Sequence, residues 1–313
     1  MSQIPFYKNI VERNRMFSRI EITNFNNLID VLKEDESKGG FFRGQADSSW
    51  KLYSNLHREY ILKDLVLQFE SPMKLFQELI NLARIRKSEE LKQCQDQYDL
   101  AVGSVLQHYG CPTPFLDFSD SFDVALFFAT ESMSINGFYE TNKYFSIYVL
   151  FEGGTPKTPG HDFMNYSRIF NDFMSKMGSN EMKAFRKKFP NGQVPQIDEL
   201  KYLSFFSTFQ LLLLKDTDKE WLKIKNTRLC SQKGLFVFSG TNGILPYEEI
   251  MQPLPDNVNK YDKLIFDQIK VYDIHKSTAN EVKHYLEQKQ INRTSLGFKE
   301  YSWGRALFDQ LIS

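Results

Sequence analysis

Helix-period stretches crowd the front of this chain, strand-like runs are scattered behind them, and nowhere does strand alternate with helix. Between Ser18 and Glu34 the apolar residues Ile22, Phe25, Leu28, Ile29 and Leu32 recur three or four apart, which predicts an amphipathic helix opening near Thr23 or Asn24. Pro72 to Arg86 carries Leu75, Phe76, Leu79 and Leu82 in one stripe, and Glu89 to Tyr109 places Tyr98, Ala101, Val102, Val105, Leu106 and Tyr109 on one face. After the Gly39-Gly40 turn a short strand of Phe41 and Phe42 ends in Arg43-Gly44. Tyr144 to Phe151 is aromatic and β-branched, the texture of a strand buried on both faces, and Gly234 to Phe238 and Leu264 to Ile274 read as further strands. This order argues against a doubly wound sheet and predicts an α+β domain.

Between these elements, Pro112 to Phe118 reads as an irregular connection, ending in the polar cluster Asp117, Ser119, Asp120, Ser121. A helix from Phe122 to about Ser132 follows, whose small Ala125 and Ala129 permit close packing. Its first amides, beside Ser119 and Ser121, suit a polar ligand or plain capping equally. His108 falls in the last turn of its helix, where the dipole favours the imidazolium. A capping or packing role accounts for it as well. Residues 155 to about 203 read as a helical insertion in which Lys183, Arg186, Lys187 and Lys188 form either a solvated face or a nucleic-acid contact. Phe205 to Leu214 is a buried helix or strand, Ser277 to Gln290 a helix with a capping box from Thr278 to Glu281, and Trp303 to Ile312 a closing helix.

Lysine plus arginine equals aspartate plus glutamate at 39 each, so bulk charge points to neither a polyanion nor a membrane surface. The cysteines, Cys94, Cys111 and Cys230, are odd in number and widely spaced, which fits a reducing compartment and not a disulfide framework. The opening Met-Ser-Gln-Ile-Pro lacks the features of a secretory signal, and no run is long enough to span a bilayer, so a cytoplasmic protein is expected. Neither cysteines nor histidines fall at metal-ligand spacing, and there is no phosphate loop and no nucleophile elbow.

Three stretches together resemble the FRG domain, named for its Phe-Arg-Gly motif. They are Phe42-Arg43-Gly44-Gln45 with Trp50-Lys51-Leu52; Gln107-His108-Tyr109-Gly110-Cys111-Pro112-Thr113 with Leu116-Asp117 and Ala125-Leu126-Phe127-Phe128-Ala129; and Gln232-Lys233-Gly234-Leu235-Phe236. The resemblance runs from about residue 18 to the end and implies a single FRG-like domain over 1–313. Pro114 stands where the family usually has arginine, and Phe118 where it usually has tryptophan. More distantly, a strand ending in Arg-Gly followed by a Ser-x-Ser segment is similar to the ADP-ribosyltransferase fold, which implies a split sheet with flanking helices.

That second resemblance implies NAD as substrate, with no metal. Arg43 would clamp the pyrophosphate and the Gly44 backbone would pair with the carboxamide, with Gln45, Tyr109 and Ser121 as further contacts. Ser119 would orient the ribose with Asp117 behind it, and His108 would be a second donor or a base. Where that fold normally has a glutamate, the nearest residue is Gln232, which can position a substrate but cannot act as a base. The implied protein is an effector, a bacterial toxin or antiviral defence protein, with a nucleic acid or protein as acceptor and an antitoxin or regulatory protein as partner. Two other readings stay open: a non-catalytic FRG module binding a nucleotide or nucleic acid through Arg43 and His108, and a structural protein whose motifs form a packed polar core.

Overall fold

Strands from both ends of the chain assemble into one mixed sheet. In the computed structural model, residues 3–17, 19–86, 91, 99–134, 138–152, 212–215, 231–238, 243–250, 266–298 and 303–313 are described. The described strands are β1 (Arg19–Ile22), β2 (Phe41–Gln45), β3 (Phe115–Ser119), β4 (Tyr144–Glu152), β5 (Leu212–Lys215), β6 (Gly234–Phe238) and β7 (Phe266–His275), in spatial order β1-β7-β4-β2-β3-β6-β5. Neighbours are antiparallel except β1 and β7. The described helices are α1 (Ile10–Asn14), α2 (Phe25–Ser37), α3 (Asn55–Leu62), α4 (Pro72–Arg86), α5 (Asp99–His108), α6 (Phe122–Glu131), α7 (Tyr247–Ile250), α8 (Ala279–Gln288) and α9 (Trp303–Ile312). Helices flanking one sheet make this an α+β fold.

β4 explains why its sequence lacks polar alternation. Flanked by β2 and β7, it sends Phe145, Ile147 and Val149 into the core beneath α2, α6 and α8, and Tyr148 and Leu150 into a second core with Leu116, Phe118 and Val237. A third cluster joins α3, α4, α5 and α9 through Leu56, Phe76, Leu79, Val102, Leu106 and Phe308, and reaches the sheet at Phe115 and Phe236.

The joint between β2 and β3 is unlike the others. β3 pairs with β6 at five positions and β2 with β4 at five, whereas β2 and β3 share the single pair Phe42↔Ser119. The sheet is therefore two well-laddered halves meeting at a seam.

Several expectations are corrected. Pro112 to Phe118 is not an irregular connection throughout: from Phe115 it forms β3. Pro112 and Pro114 bar a helix but not a strand, and the alternation Leu116, Asp117, Phe118 is too brief to stand out. The capping box at Thr278 does not form. Thr278 Oγ1 donates to the His275 carbonyl at 2.9 Å, and a 3-10 turn, Lys276–Thr278, precedes α8. Periodicity does not announce α1, β1, α3 or α7. The insertion at about 155–203, with its basic cluster, lies outside the described residues, as do 92–98 of the predicted long helix and 205–211 of the apolar run.

α3 brings a testable pH effect. Ser54 caps it, its hydroxyl accepting from the His57 amide and meeting His57 Nδ1 at 2.7 Å, with both side chains buried. Burial pushes His57 down to about 4. Between that value and its ordinary 6.5 the unfolded chain takes up a proton that the folded chain refuses, so stability falls as pH drops through this window. The loss approaches about 3 kcal/mol by pH 4. Urea denaturation of wild type and His57→Gln at pH 7 and pH 4.5 checks this: the variant is expected to lose less stability between the two pH values than the wild type.

Candidate functional site

The seam is where chemistry collects. A cleft of about 180 Å³ opens there, lined by β2 (Phe42 to Gln45), β3 (Asp117 to Ser119), the Val124–Phe128 face of α6, Trp50, Arg58, Gln232 and Gly234. Because its walls include both strand edges, the cleft occupies the space where the ladder would otherwise continue. Arg43 bridges the gap with its side chain, Nη1 donating to the Asp117 carbonyl at 2.7 Å. Part of the guanidinium thus replaces a missing ladder bond, while its Nε is buried with no hydrogen-bond partner. Burial holds Arg43 below its ordinary pKa, with Asp117, Tyr148 and Tyr247 acting in the opposite direction.

Gly44 serves the scaffold. A Cβ there would lie 1.8 Å from the Ala125 carbonyl oxygen and 2.7 Å from the Ala129 nitrogen, so α6 crosses β2 at backbone contact. The small Ala125 and Ala129 on the helix answer the glycine on the strand. The Gly44 backbone, expected to pair with a ligand carboxamide, is met here by the backbone of α6.

Arg58 on α3 is the residue that sequence reasoning missed. It lines the cleft, its Nε donates to the Tyr53 carbonyl at 3.2 Å, and its guanidinium carbon sits 5.8 Å from the centre of the Trp50 ring. Burial, then the charge of Arg43, lower it to about 10 against the pull of Glu248. At neutral pH both arginines remain charged. Two guanidinium ions therefore share a small cleft in which Asp117 is the one carboxylate among the lining residues, and that carboxylate accepts from Gln107 Nε2 at 2.7 Å. Glu248 lies behind them on α7, buried, accepting from the Tyr7 hydroxyl and the Leu52 amide at 2.8 Å each.

The remaining site residues divide clearly. Ser119 lines the cleft, but its hydroxyl donates to the Gln232 carbonyl at 2.7 Å and accepts from the Ser121 amide at 3.0 Å, locking the turn into α6. Gln232 lines it too, with Nε2 on the Leu296 carbonyl at 3.1 Å. Gln45 is buried, its Nε2 donating to the carbonyls of Trp50 at 2.6 Å and Asp47 at 3.3 Å. Arg43, Gly44, Gln45, Asp117, Ser119 and Gln232 are thus brought together. Ser121 is placed at the N-terminus of α6, outside the cleft lining.

His108 and Tyr109 are also outside that lining. Their rings meet edge to face at 4.9 Å, and Tyr109 packs on Trp303 of α9 at 5.0 Å. The motif around them builds a joint. Gly110, at φ 82°, ends α5, and the Cys111 amide returns to the Leu106 carbonyl at 2.9 Å. Thr113 donates through its hydroxyl to Gln107 Oε1, and its carbonyl accepts from the Leu56 amide at 3.1 Å. Gln107, held by Thr113, then orients Asp117 at the cleft.

Residues 38–136 match the family model of the FRG domain. The likeness is to this stretch and not to the whole chain. Both arginines, Trp50, Gln45 and Asp117 lie inside the matched residues, as do β2 and β3, whereas β1, β4, β5, β6 and β7 lie outside them. The FRG segment therefore carries the charged walls of the cleft, with Gln232 and Gly234 added from outside it. Neither a curated protein nor a solved structure matches the chain. Among the described residues no helix is long and apolar enough to cross a membrane, and no cluster of histidine, cysteine and acidic residues could hold a metal ion.

Proposed function

We propose that the FRG cleft binds the phosphate of a nucleotide, with Arg43 and Arg58 holding the anion and the Trp50 ring flanking the sugar or base. One observation carries this reading: two half-buried guanidinium ions line one open cleft, and the one carboxylate among its described lining residues is engaged by Gln107. A phosphate there relieves the repulsion between them and supplies planar, charge-assisted hydrogen bonds. Trp50, 41% exposed, leaves a face for stacking. The volume of about 180 Å³ lies below the roughly 300–1,000 Å³ of sites that enclose drug-sized ligands, so one phosphorylated sugar or one base fits the described walls and the rest of a larger molecule projects outward.

Calorimetric titration with AMP tests this. Arg58→Gln, which leaves the seam strut of Arg43 intact, is expected to weaken binding about 10- to 100-fold, the worth of one charge-assisted hydrogen bond. Absence of binding of AMP, nicotinamide mononucleotide and ribose 5-phosphate alike to the wild type would sink the reading.

A second reading, ADP-ribosyl transfer from NAD, is favoured by the convergence of Arg43, Ser119 and Gln232 in one cleft. In it Arg43 and Arg58 take the pyrophosphate, Gln232 positions the ribose, and a nucleic acid or protein is the acceptor. A toxin or antiviral effector regulated by a partner protein would follow from that chemistry. Release of nicotinamide from NAD, measured with and without cell extract as the source of acceptor, separates this from binding alone: no release in either condition leaves the cleft a binding site.

A further inference from the structure

Gln45 is buried, with 4% of its surface exposed, and lines the cleft; its amide orientation is fixed because Nε2 donates to two carbonyls, those of Trp50 and Asp47. That leaves Oε1 as a buried acceptor with no partner. Two positions earlier on the same strand, Arg43 Nε is a buried donor with no partner. Residues two apart on a strand face the same side, so the unpartnered donor and acceptor lie on one side of β2, just beneath the surface of the cleft that both residues line. Orphaned groups of this kind are uncommon, since each forfeits its hydration on folding.

We propose that the ligand in this cleft carries a planar edge with an acceptor beside an N–H donor, the donor meeting Gln45 Oε1 and the acceptor meeting Arg43 Nε. The proposal rests on the nucleotide reading above and adds the chemical class of the group recognised. Two sources share this chemistry: an aminated nucleobase edge, as in adenine, and a carboxamide, as in nicotinamide. Both are flat enough to lie along the exposed face of Trp50. Gln45 is then the specificity-determining residue of the cleft, because an analogue lacking the N–H leaves Oε1 buried and unpaired.

Calorimetry on the full chain with five ligands tests this: ribose 5-phosphate, AMP, purine riboside 5′-monophosphate (no amino group), nicotinamide mononucleotide and 3-acetylpyridine mononucleotide (carbonyl kept, N–H lost). At least one aminated ligand is expected to bind tenfold or more tightly than its donorless partner, and the pair showing the difference identifies the source. In Gln45→Met the difference is expected to shrink below twofold with an unchanged circular dichroism spectrum. If that variant does not fold, the ligand pairs decide alone. Binding of all five within twofold, or discrimination that survives in folded Gln45→Met, overturns the role of Gln45 and leaves the phosphate site standing. No binding of any of the five overturns the nucleotide reading itself.

Discussion

Gly44→Ala is expected to be among the most damaging single changes in this protein. The added methyl would sit 1.8 Å from a backbone carbonyl oxygen of α6, and backbone cannot rotate away as a side-chain tip can. Relief requires the helix to lift off β2, opening contacts that Phe42 makes with Phe122 and the rest of that core. Overpacking commonly costs about 1–3 kcal/mol, and a clash between two main chains belongs at or above the top of that range. A drop of at least about 3 kcal/mol in urea denaturation is the predicted result. Wild-type stability for Gly44→Ala would show that α6 does not cross the strand here.

The second large effect lies at Arg13, remote from the cleft and fully buried. Its guanidinium makes a two-pronged pair with Asp273, both contacts at 2.8 Å, and adds bonds to Ser146 Oγ at 2.9 Å and the Tyr148 hydroxyl at 3.2 Å. The rings of Tyr7, Phe17 and Tyr148 surround it at 5.5 to 5.8 Å. Burial alone would lower its pKa; Tyr148 and Asp273 outweigh that and raise it. Arg13→Met would strand Asp273 as a buried charge, a change that typically costs about 3–5 kcal/mol. Arg19, whose Nη1 lies 3.5 Å from the same carboxylate, compensates in part, so about 3 kcal/mol is expected. Combining Arg13→Met with Asp273→Leu should restore much of the loss. Equal instability of the single and double variants would mean that the pair is not what fastens α1 to β4 and β7.

Periodicity was a good guide where an element buries one continuous face. α4 and α9 have the boundaries that their apolar stripes predict, and the doubly buried β4 announces itself by its lack of polar positions. It failed where elements are short. β3 offers five residues after two prolines, and α3 buries only Leu56, His57 and Tyr60. Arg58 goes unseen with α3, and no local pattern says that this arginine lines the same cleft as Arg43. Gly44 shows a different limit. A glycine after an arginine at a strand end suits a ligand reaching its backbone, and in the fold the backbone of α6 packs there. His108 was drawn toward the site by the family motif containing it, yet that motif works through Gln107 and Thr113, which hold Asp117, while His108 and Tyr109 form part of the packing near α9.

The seam gives these observations a common cause. A ladder broken after one pair leaves strand edges to be satisfied by side chains, and Arg43 does so for Asp117 while keeping Nε unused. With Arg58 opposite, the break becomes a place for an anion. The most direct test is to compare ribose 5-phosphate with ribose by calorimetry, in wild type and in Arg58→Gln. The wild type is predicted to bind the phosphate ester and not the free sugar, with affinity that weakens as salt rises, and Arg58→Gln to lose at least tenfold in affinity for the ester while its urea midpoint is unchanged. Equal binding of ester and sugar, or an Arg58→Gln variant that binds the ester as the wild type does, would contradict the assignment of this cleft as a phosphate site.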